Sequence, residues 1–171
     1  MDKIIELGES RPLVPGKIFA EQNNLRTIER TRRCKIAWLE PGADTEWLFR
    51  DMAKYVADLN ARYFGFDLFG FVDHLQYTVY EGSVSKPGHY GWHIDMGLTT
   101  APRKLSISLS LSEPTDYRGG ELQFRDLSQK KAGKEAGHIH AFPSWAAHRV
   151  TPVTTGIRRS LVGWIAGPPF R

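Results

Sequence analysis

Cysteine is almost missing from this chain. Cys34 is the only one in 171 residues, so an internal disulfide framework and a Cys-rich zinc module are both excluded, and the usage suits a reducing compartment. Long apolar runs are missing too. Nothing is long enough to span a membrane, and the opening Met1-Asp2-Lys3-Ile4-Ile5-Glu6 lacks the apolar stretch of a signal peptide, so a cytoplasmic protein with no membrane partner is expected. No internal repeat, low-complexity block or Pro/Gly/Ser linker divides the sequence. Neither sign of charge dominates: 23 Lys and Arg against 19 Asp and Glu leave +4, scattered along the chain, which permits nucleic acid as a partner without indicating it. With 41% hydrophobic and 25% charged residues the chain is ordinary for a globular protein, and its length suits a single domain over residues 1–171. This scarcity leaves six histidines. A metal here must be held by imidazole and carboxylate.

The first thirty residues read as polar and irregular, broken by Pro12, Pro15 and Gly16. A short strand is expected over 33–39. After the cap candidates Asp44 and Thr45, the residues Trp47, Leu48, Met52, Tyr55, Val56, Leu59 and Tyr63 recur at i, i+3/i+4. That spacing predicts an amphipathic helix whose aromatic stripe is core, ended by Gly65. From Phe71 the texture changes to short strands separated by turn signals, at 74–81, 90–94, 104–111, 120–124, 137–142, 148–153 and 159–165. The expected fold is mainly β with supporting α. A jelly-roll-like double sheet occupies about 71–167, and helical support from about 1–70 packs on one outer face.

In 104–112, Leu105, Ile107, Leu109 and Leu111 fall on one strand face, and Ser106, Ser108 and Ser110 on the other. Either the serines face water or they line a polar cavity between the sheets. The histidines bear on that choice. His93 and Asp95 stand at i and i+2, about 6.6 Å apart on an extended segment, so both side chains converge on one ion. A set of two histidines and one carboxylate with open positions suits non-heme Fe(II). His89 lies about 13 Å along the strand from His93, too far to share a metal. His74 has no companion, and His138 and His140 form a local pair. His148, following the turn at 142–145, is the best third ligand, with His140 second. Further on, Arg158, Ser160 and Trp164 share a strand face while Arg159 points away. An inward arginine beside a hydroxyl is a natural receptor for a carboxylate; otherwise these are exposed strand arginines.

These residues lie within a series of segments: Tyr80-Glu81-Gly82, Tyr90-Gly91-Trp92-His93-Ile94-Asp95, Arg103-Lys104-Leu105-Ser106, Tyr117-Arg118-Gly119-Gly120-Glu121-Leu122, Phe142-Pro143-Ser144, His148-Arg149-Val150-Thr151-Pro152-Val153 and Gly156-Ile157-Arg158. In this order the chain resembles the Fe(II)/2-oxoglutarate-dependent oxygenases of the prolyl 4-hydroxylase-like branch, nearest to the bacterial PKHD-type hydroxylases. The resemblance implies a double-stranded β-helix core. It also implies Fe(II) on His93, Asp95 and His148, and 2-oxoglutarate with its distal carboxylate on Arg158. Tyr80 matches a residue lining the cosubstrate pocket, and Tyr90 and Trp164 match aromatic walls. Tyr90, Trp92 and Arg103 are candidate substrate-lining residues. Ser110 falls where animal relatives place a tyrosine that helps hold the distal carboxylate. Ser110 or Ser160 with water takes that role here, or Tyr80 reaches further.

The implied reaction consumes O2 and 2-oxoglutarate, releases succinate and CO2, and hydroxylates an unactivated C–H, with ascorbate as a candidate stimulant. A carboxylate at Asp95 favours hydroxylation over halogenation. The leading substrate class is a residue of a peptide or protein, proline among them. A free amino acid or small metabolite is the alternative within the same chemistry. The flanking loops are 81–89 and 125–137. The second carries Arg125, Lys130, Lys131 and Lys134 and is either a solvated mobile loop or a basic lid. A non-catalytic iron-binding sensor is the rival from another class, and the intact Arg158 and Ser160 weigh against it. A nucleic-acid substrate is disfavoured by the absence of an aromatic-basic stripe. The sequence leaves the oligomeric state open.

Overall fold

The structure, a computed structural model, describes residues 1–17, 30–96, 102–127 and 130–169. Helix α1 (Asp2–Glu9) is followed by β1 (Val14–Pro15), β2 (Arg32–Arg33) and β3 (Lys35–Leu39). Helix α2 (Glu46–Leu59) starts from Thr45 and continues through a π turn over Asn60–Phe64 to Gly65. Then come β4 (Gly70–Phe71), β5 (Leu75–Glu81), β6 (Gly88–His93), β7 (Arg103–Ser110), β8 (Tyr117–Gly119), β9 (Leu122–Phe124), β10 (Ile139–Pro143) and β11 (His148–Ala166). No helix among the described residues is long and apolar enough to cross a membrane.

Helix α1 lies where the sequence read as irregular. It buries Ile4 and Gly8 at i, i+4, with Ile5 and Leu7 packed partly buried against the core, and the glycine is there because the Tyr77 ring occupies the space a side chain would need. In α2, Leu48, Met52 and Val56 are buried as the periodicity requires. Tyr55 and Tyr63, expected in the core stripe, are instead 55% and 72% exposed. They mark the edge of a stripe narrower than the count of aromatics suggested.

The strands form two antiparallel layers. The larger runs β1-β3-β5-β11-β7-β10, and the smaller sets β2, β6, β8 and β9 around β11. Strand β11 belongs to both. Its first part pairs with β6, β9 and β8, and from Ile157 onward it pairs with β5 and β7. The sequence suggested two strands here, 148–153 and 159–165. The chain stays extended and crosses between layers at Gly156, whose φ of +74° bends it without ending it. This is a jelly roll with helices on one outer face.

Register sorts the two faces of the larger sheet. Leu39, Leu75, Tyr77, Leu105, Ile107, Leu161 and Ile165 face α1 and α2 and form the main core with Leu48 and Met52. Each buried aliphatic side chain there contributes about 1.5–3 kcal/mol. The Tyr77 hydroxyl donates to Glu9 Oε1 at 2.9 Å, and Arg159 Nε donates to the same oxygen at 3.1 Å, tying α1 to the sheet. The opposite face looks between the layers and is polar. Gln76, Thr78, Ser106, Ser108, Ser110, Arg158 and Ser160 are all buried there. The serines therefore line an interior rather than meeting water, because both faces of this sheet are covered.

Gly156 gives this fold a test. A Cβ at that position would run into the Asp116 carbonyl, in a backbone conformation that side chains resist. Gly156→Ala is expected to lower stability by about 2 kcal/mol or more, read as a fall in the urea midpoint at unchanged slope. An unchanged midpoint would show that the crossing does not depend on glycine.

Candidate metal centre

The ligand geometry begins with an irregularity in β6. His148 pairs with His93, but Val150 pairs with Tyr90, so β6 carries one extra residue between them. Such a bulge re-aims side chains. Tyr90 and His93 both turn inward as a result, their rings stacked at 3.5 Å. Trp92 is turned to the other side of the layer, where the guanidinium groups of Arg125 and Arg149 lie 4.6 and 4.7 Å from its ring. Of the three candidate substrate-lining residues, the structure thus places Tyr90 beside the centre and Trp92 away from it.

Asp95 reaches the centre by a route the strand spacing did not foresee. β6 ends at His93, and the Asp95 backbone N–H donates to the Ser144 carbonyl at 2.9 Å, swinging the carboxylate across. Its Oδ1 lies 3.6 Å from His93 Nε2 and its Oδ2 3.6 Å from His148 Nε2. The ligand atoms of His93, Asp95 and His148 all fall within 4.8 Å of one another, the one such group among the described residues. Both imidazoles are oriented from behind. His93 Nδ1 donates to the Gly91 carbonyl at 2.8 Å and His148 Nδ1 to the Ala146 carbonyl at 2.9 Å. That arrangement leaves both Nε2 lone pairs free, the state a metal ligand requires.

The electrostatics agree. Burial, reinforced by His148, lowers His93 to about 4, so its imidazole is neutral near pH 7. Burial works against the charge on Asp95, but His148, His93 and the Ser106 hydroxyl outweigh it and hold the carboxyl below its ordinary value. Ser106 Oγ donates to Asp95 Oδ2 at 2.8 Å and lies 2.9 Å from Ser144 Oγ. Arg103 Nη1 donates to the Asp95 carbonyl at 3.3 Å, its Nε to Asp73 at 2.9 Å, and its guanidinium covers the Trp164 ring at 4.2 Å. The sequence marks Arg103 only as a candidate substrate-lining residue and gives Ser106 no individual task. The signal available was the position of Ser106 on the serine face of β7. Two imidazole nitrogens and one carboxylate, clustered on one side, fit a divalent iron that needs open positions.

Deeper in the interior Arg158 is 4% exposed. Its Nη1 donates to Ser160 Oγ at 3.3 Å, and its guanidinium stands 5.3 Å from the Tyr80 ring. Among the described residues no carboxylate is within ion-pair distance of it. Buried arginines are almost always paired, so this environment suits an incoming carboxylate. Ser110 sits opposite Ser160 on the neighbouring strand, and Ser106 opposite Trp164. Tyr117 and Gly120 complete the wall: a Cβ on Gly120 would press on both Arg158 Cδ and the Tyr117 ring. Both lie in the segment 117–122 singled out in the sequence, where Gly119-Gly120 is matched to a tight turn between core strands and Tyr117 carries no role.

The other histidines stand elsewhere. His89 is held by the carbonyls of Pro87 and Arg30, His74 faces Glu40, and His138 faces Glu135. His140 does not join the ligand group. In loop 125–137, residues 128 and 129 lie outside the described residues. Lys130 Nζ donates to the Arg125 carbonyl, Lys131 pairs with Glu121, and Lys134 Nζ donates to the Gly119 carbonyl while covering the Tyr117 ring. All three lysines are tethered to neighbouring strands and turns.

Known proteins share both the sequence and the fold. A PKHD-type hydroxylase from Synechococcus sp. (strain CC9902) is 44% identical over 78 residues, 44% of this chain and 35% of that protein. A PKHD-type hydroxylase from Gloeothece citriformis (strain PCC 7424) is 39% identical over 95 residues, 53% of this chain and 41% of that protein. The match therefore spans less than half the length of these relatives. Among solved structures, a prolyl hydroxylase from Trichoplax adhaerens, in complex with a hypoxia inducible factor oxygen degradation domain peptide fragment, superposes with a TM-score of 0.76 at 19% identity. That alignment covers 97% of this chain and 76% of the other. A Pseudomonas putida prolyl-4-hydroxylase gives a TM-score of 0.69 at 23% identity, covering 98% and 83%. The family profile of the 2OG-Fe(II) oxygenase superfamily matches residues 75–166, the stretch that holds all three candidate ligands and Arg158. This chain belongs to the 2OG-Fe(II) oxygenase superfamily.

Proposed function

We propose that the protein is an Fe(II)- and 2-oxoglutarate-dependent dioxygenase. It hydroxylates an unactivated C–H of a peptide or protein residue and releases succinate and CO2. One observation carries this reading: a single interior holds both a three-residue set suited to iron and, farther in, a buried guanidinium with no carboxylate partner among the described residues. A 2-oxo dicarboxylate is the chemical class that answers both at once. Bound together, iron and the 2-oxo acid supply the oxidising chemistry that converts C–H to C–OH at the expense of O2.

The chain's own residues then have definite tasks. His93, Asp95 and His148 hold the metal on one side. Ser106 fixes one Asp95 oxygen, so the carboxylate keeps a single orientation. Arg158 and Ser160 receive the distal carboxylate, Tyr80 flanks the guanidinium, and Trp164 and Tyr90 wall the centre. Arg103 acts on Asp95 and Trp164 as a positioning residue. A partly exposed aromatic side chain lies beside Trp164. Trp38 is 40% exposed, its ring lies 6.2 Å from Trp164, and it borders an outer pocket of about 560 Å³ with Arg11, Val14, Glu40 and Asp44. The peptide reading is supported by likeness in fold to the Trichoplax adhaerens prolyl hydroxylase in complex with a peptide fragment.

Anaerobic Fe(II) and 2-oxoglutarate should together give the visible charge-transfer band of a chelated 2-oxo acid; well-folded, iron-loaded protein without that band would refute the assignment. Asp95→Ala should abolish succinate formation coupled to a peptide substrate while leaving the thermal midpoint within a few degrees. Arg158→Ala should weaken 2-oxoglutarate binding about a hundredfold or more, because the carboxylate loses a buried partner. An unchanged dissociation constant would assign the distal carboxylate to another residue. Ser106→Ala should reduce iron affinity about ten- to a hundredfold by freeing the ligating carboxylate, measurable by competition with a chelator.

A further inference from the structure

One polar side chain in the interior has no task in the reaction described above. His140 lies on β10 opposite Ser108, so it shares the inward face with Ser106, Ser108 and Ser110. Its neighbours Ile139 and Ala141 pack instead against the main core. His140 Nε2 is buried, and among the described residues it has no hydrogen-bond partner. Native interiors rarely leave such an atom idle, and an orphan of this kind calls for an explanation.

Register sets Ser110 midway between His140 and Arg158. The guanidinium folds back to bond Ser160, and Ser160 faces Ser110 across β11 and β7. The Ser110 N–H donates to the carbonyl of His138 on β10. His140, two residues on, is therefore the diagonal neighbour of Ser110, a Cα spacing of about 7–8 Å that long or aromatic side chains bridge. Ser110 has a short side chain, and His140 stands diagonally across from it on the same inward face. Burial lowers the His140 pKa; a hydrogen bond to the Gly133 backbone opposes it, His138 and Arg158 act with burial, and Glu135 against it. Lys134, the other cation of that segment, is bound to the Gly119 carbonyl over Tyr117. Three basic side chains thus surround this part of the interior, with Glu135 the acidic group acting on His140.

We propose that His140 is a further contact for the distal carboxylate of the 2-oxo dicarboxylate: the incoming anion draws a proton from solvent onto the imidazole, and Nε2–H then donates across Ser110 to the carboxylate held by Arg158 and Ser160. The inference rests on the function proposed above. It answers which side chain works beside Arg158 in a chain with serine at position 110. His140 is then a binding residue for the cosubstrate and takes no part in holding iron.

The test is a titration of anaerobic, Fe(II)-loaded protein, followed by the charge-transfer band, for the wild type, His140→Val and His140→Gln. Two acids are compared: 2-oxoglutarate, and 2-oxopentanoate, which has the same chain length but lacks the distal carboxylate. His140→Val should bind 2-oxoglutarate about tenfold more weakly, His140→Gln should recover part of that loss, and iron affinity should stay constant across all three. 2-Oxopentanoate should bind the wild type and His140→Val equally. An unchanged 2-oxoglutarate constant in His140→Val, or an equal loss with both acids, would overturn the role of His140 and leave the dioxygenase reading intact. A wild-type protein that gives no band with 2-oxoglutarate would overturn both.

Discussion

A β-sheet can carry hydroxyls, a guanidinium and an amide on one face only if its other face holds the molecule together, and that division of labour underlies everything else here. The larger sheet gives Leu75, Tyr77, Leu105, Ile107 and Leu161 to the helices and keeps Gln76, Thr78, Ser106, Ser108, Ser110, Arg158 and Ser160 for the interior. Helices α1 and α2 are the seal that makes a polar interior affordable. Without them the aliphatic face would meet water, and no driving force would remain to bury an unpaired arginine. The tie from Tyr77 and Arg159 to Glu9 is therefore part of the site's support, although it lies on the far side of the sheet.

The same economy appears around the metal centre. Each ligand is held by backbone rather than by further charged side chains. Carbonyls of Gly91 and Ala146 orient the two imidazoles, and the Ser144 carbonyl places Asp95. Only hydroxyls and one arginine add to this. Among the described residues the interior is poor in competing carboxylates, with Asp95 the one acidic group held at the centre.

Much of this was legible in the sequence, for definite reasons. Alternation in 104–112 carries two faces explicitly, and the i, i+3/i+4 spacing of Leu48, Met52 and Val56 carries one buried stripe. The ligand set was legible because the residue types are scarce: with one cysteine and six histidines, few combinations could hold a metal. Helix α1 was hidden because it is only eight residues long and one of its buried positions, Gly8, has no side chain to contribute to a pattern. Asp95 was expected to reach the centre along a strand and reaches it through a turn, because hydrogen bonding to Ser144 is a long-range event. Trp92 and Tyr90 share strand parity with each other, so only the bulge in β6, visible through pairing with β11, separates their fates. His140 was named as a minor candidate for the metal. Its register opposite Ser108 turns it instead to the inward face of the larger sheet.

Strand β11 begins with His148, and ten residues later, past the bend at Gly156, it presents Arg158. Metal ligand and guanidinium are thus two jaws of one caliper, cut from a single unbroken piece of backbone. The gap between them is set by strand pairing on both sides, and no loop can stretch it. On the proposed reading, such a caliper measures length: an acid one methylene shorter would touch one jaw and miss the other. Selection among 2-oxo dicarboxylates would then be a property of backbone geometry, to be changed by re-cutting the bend and left unchanged by repainting the surface.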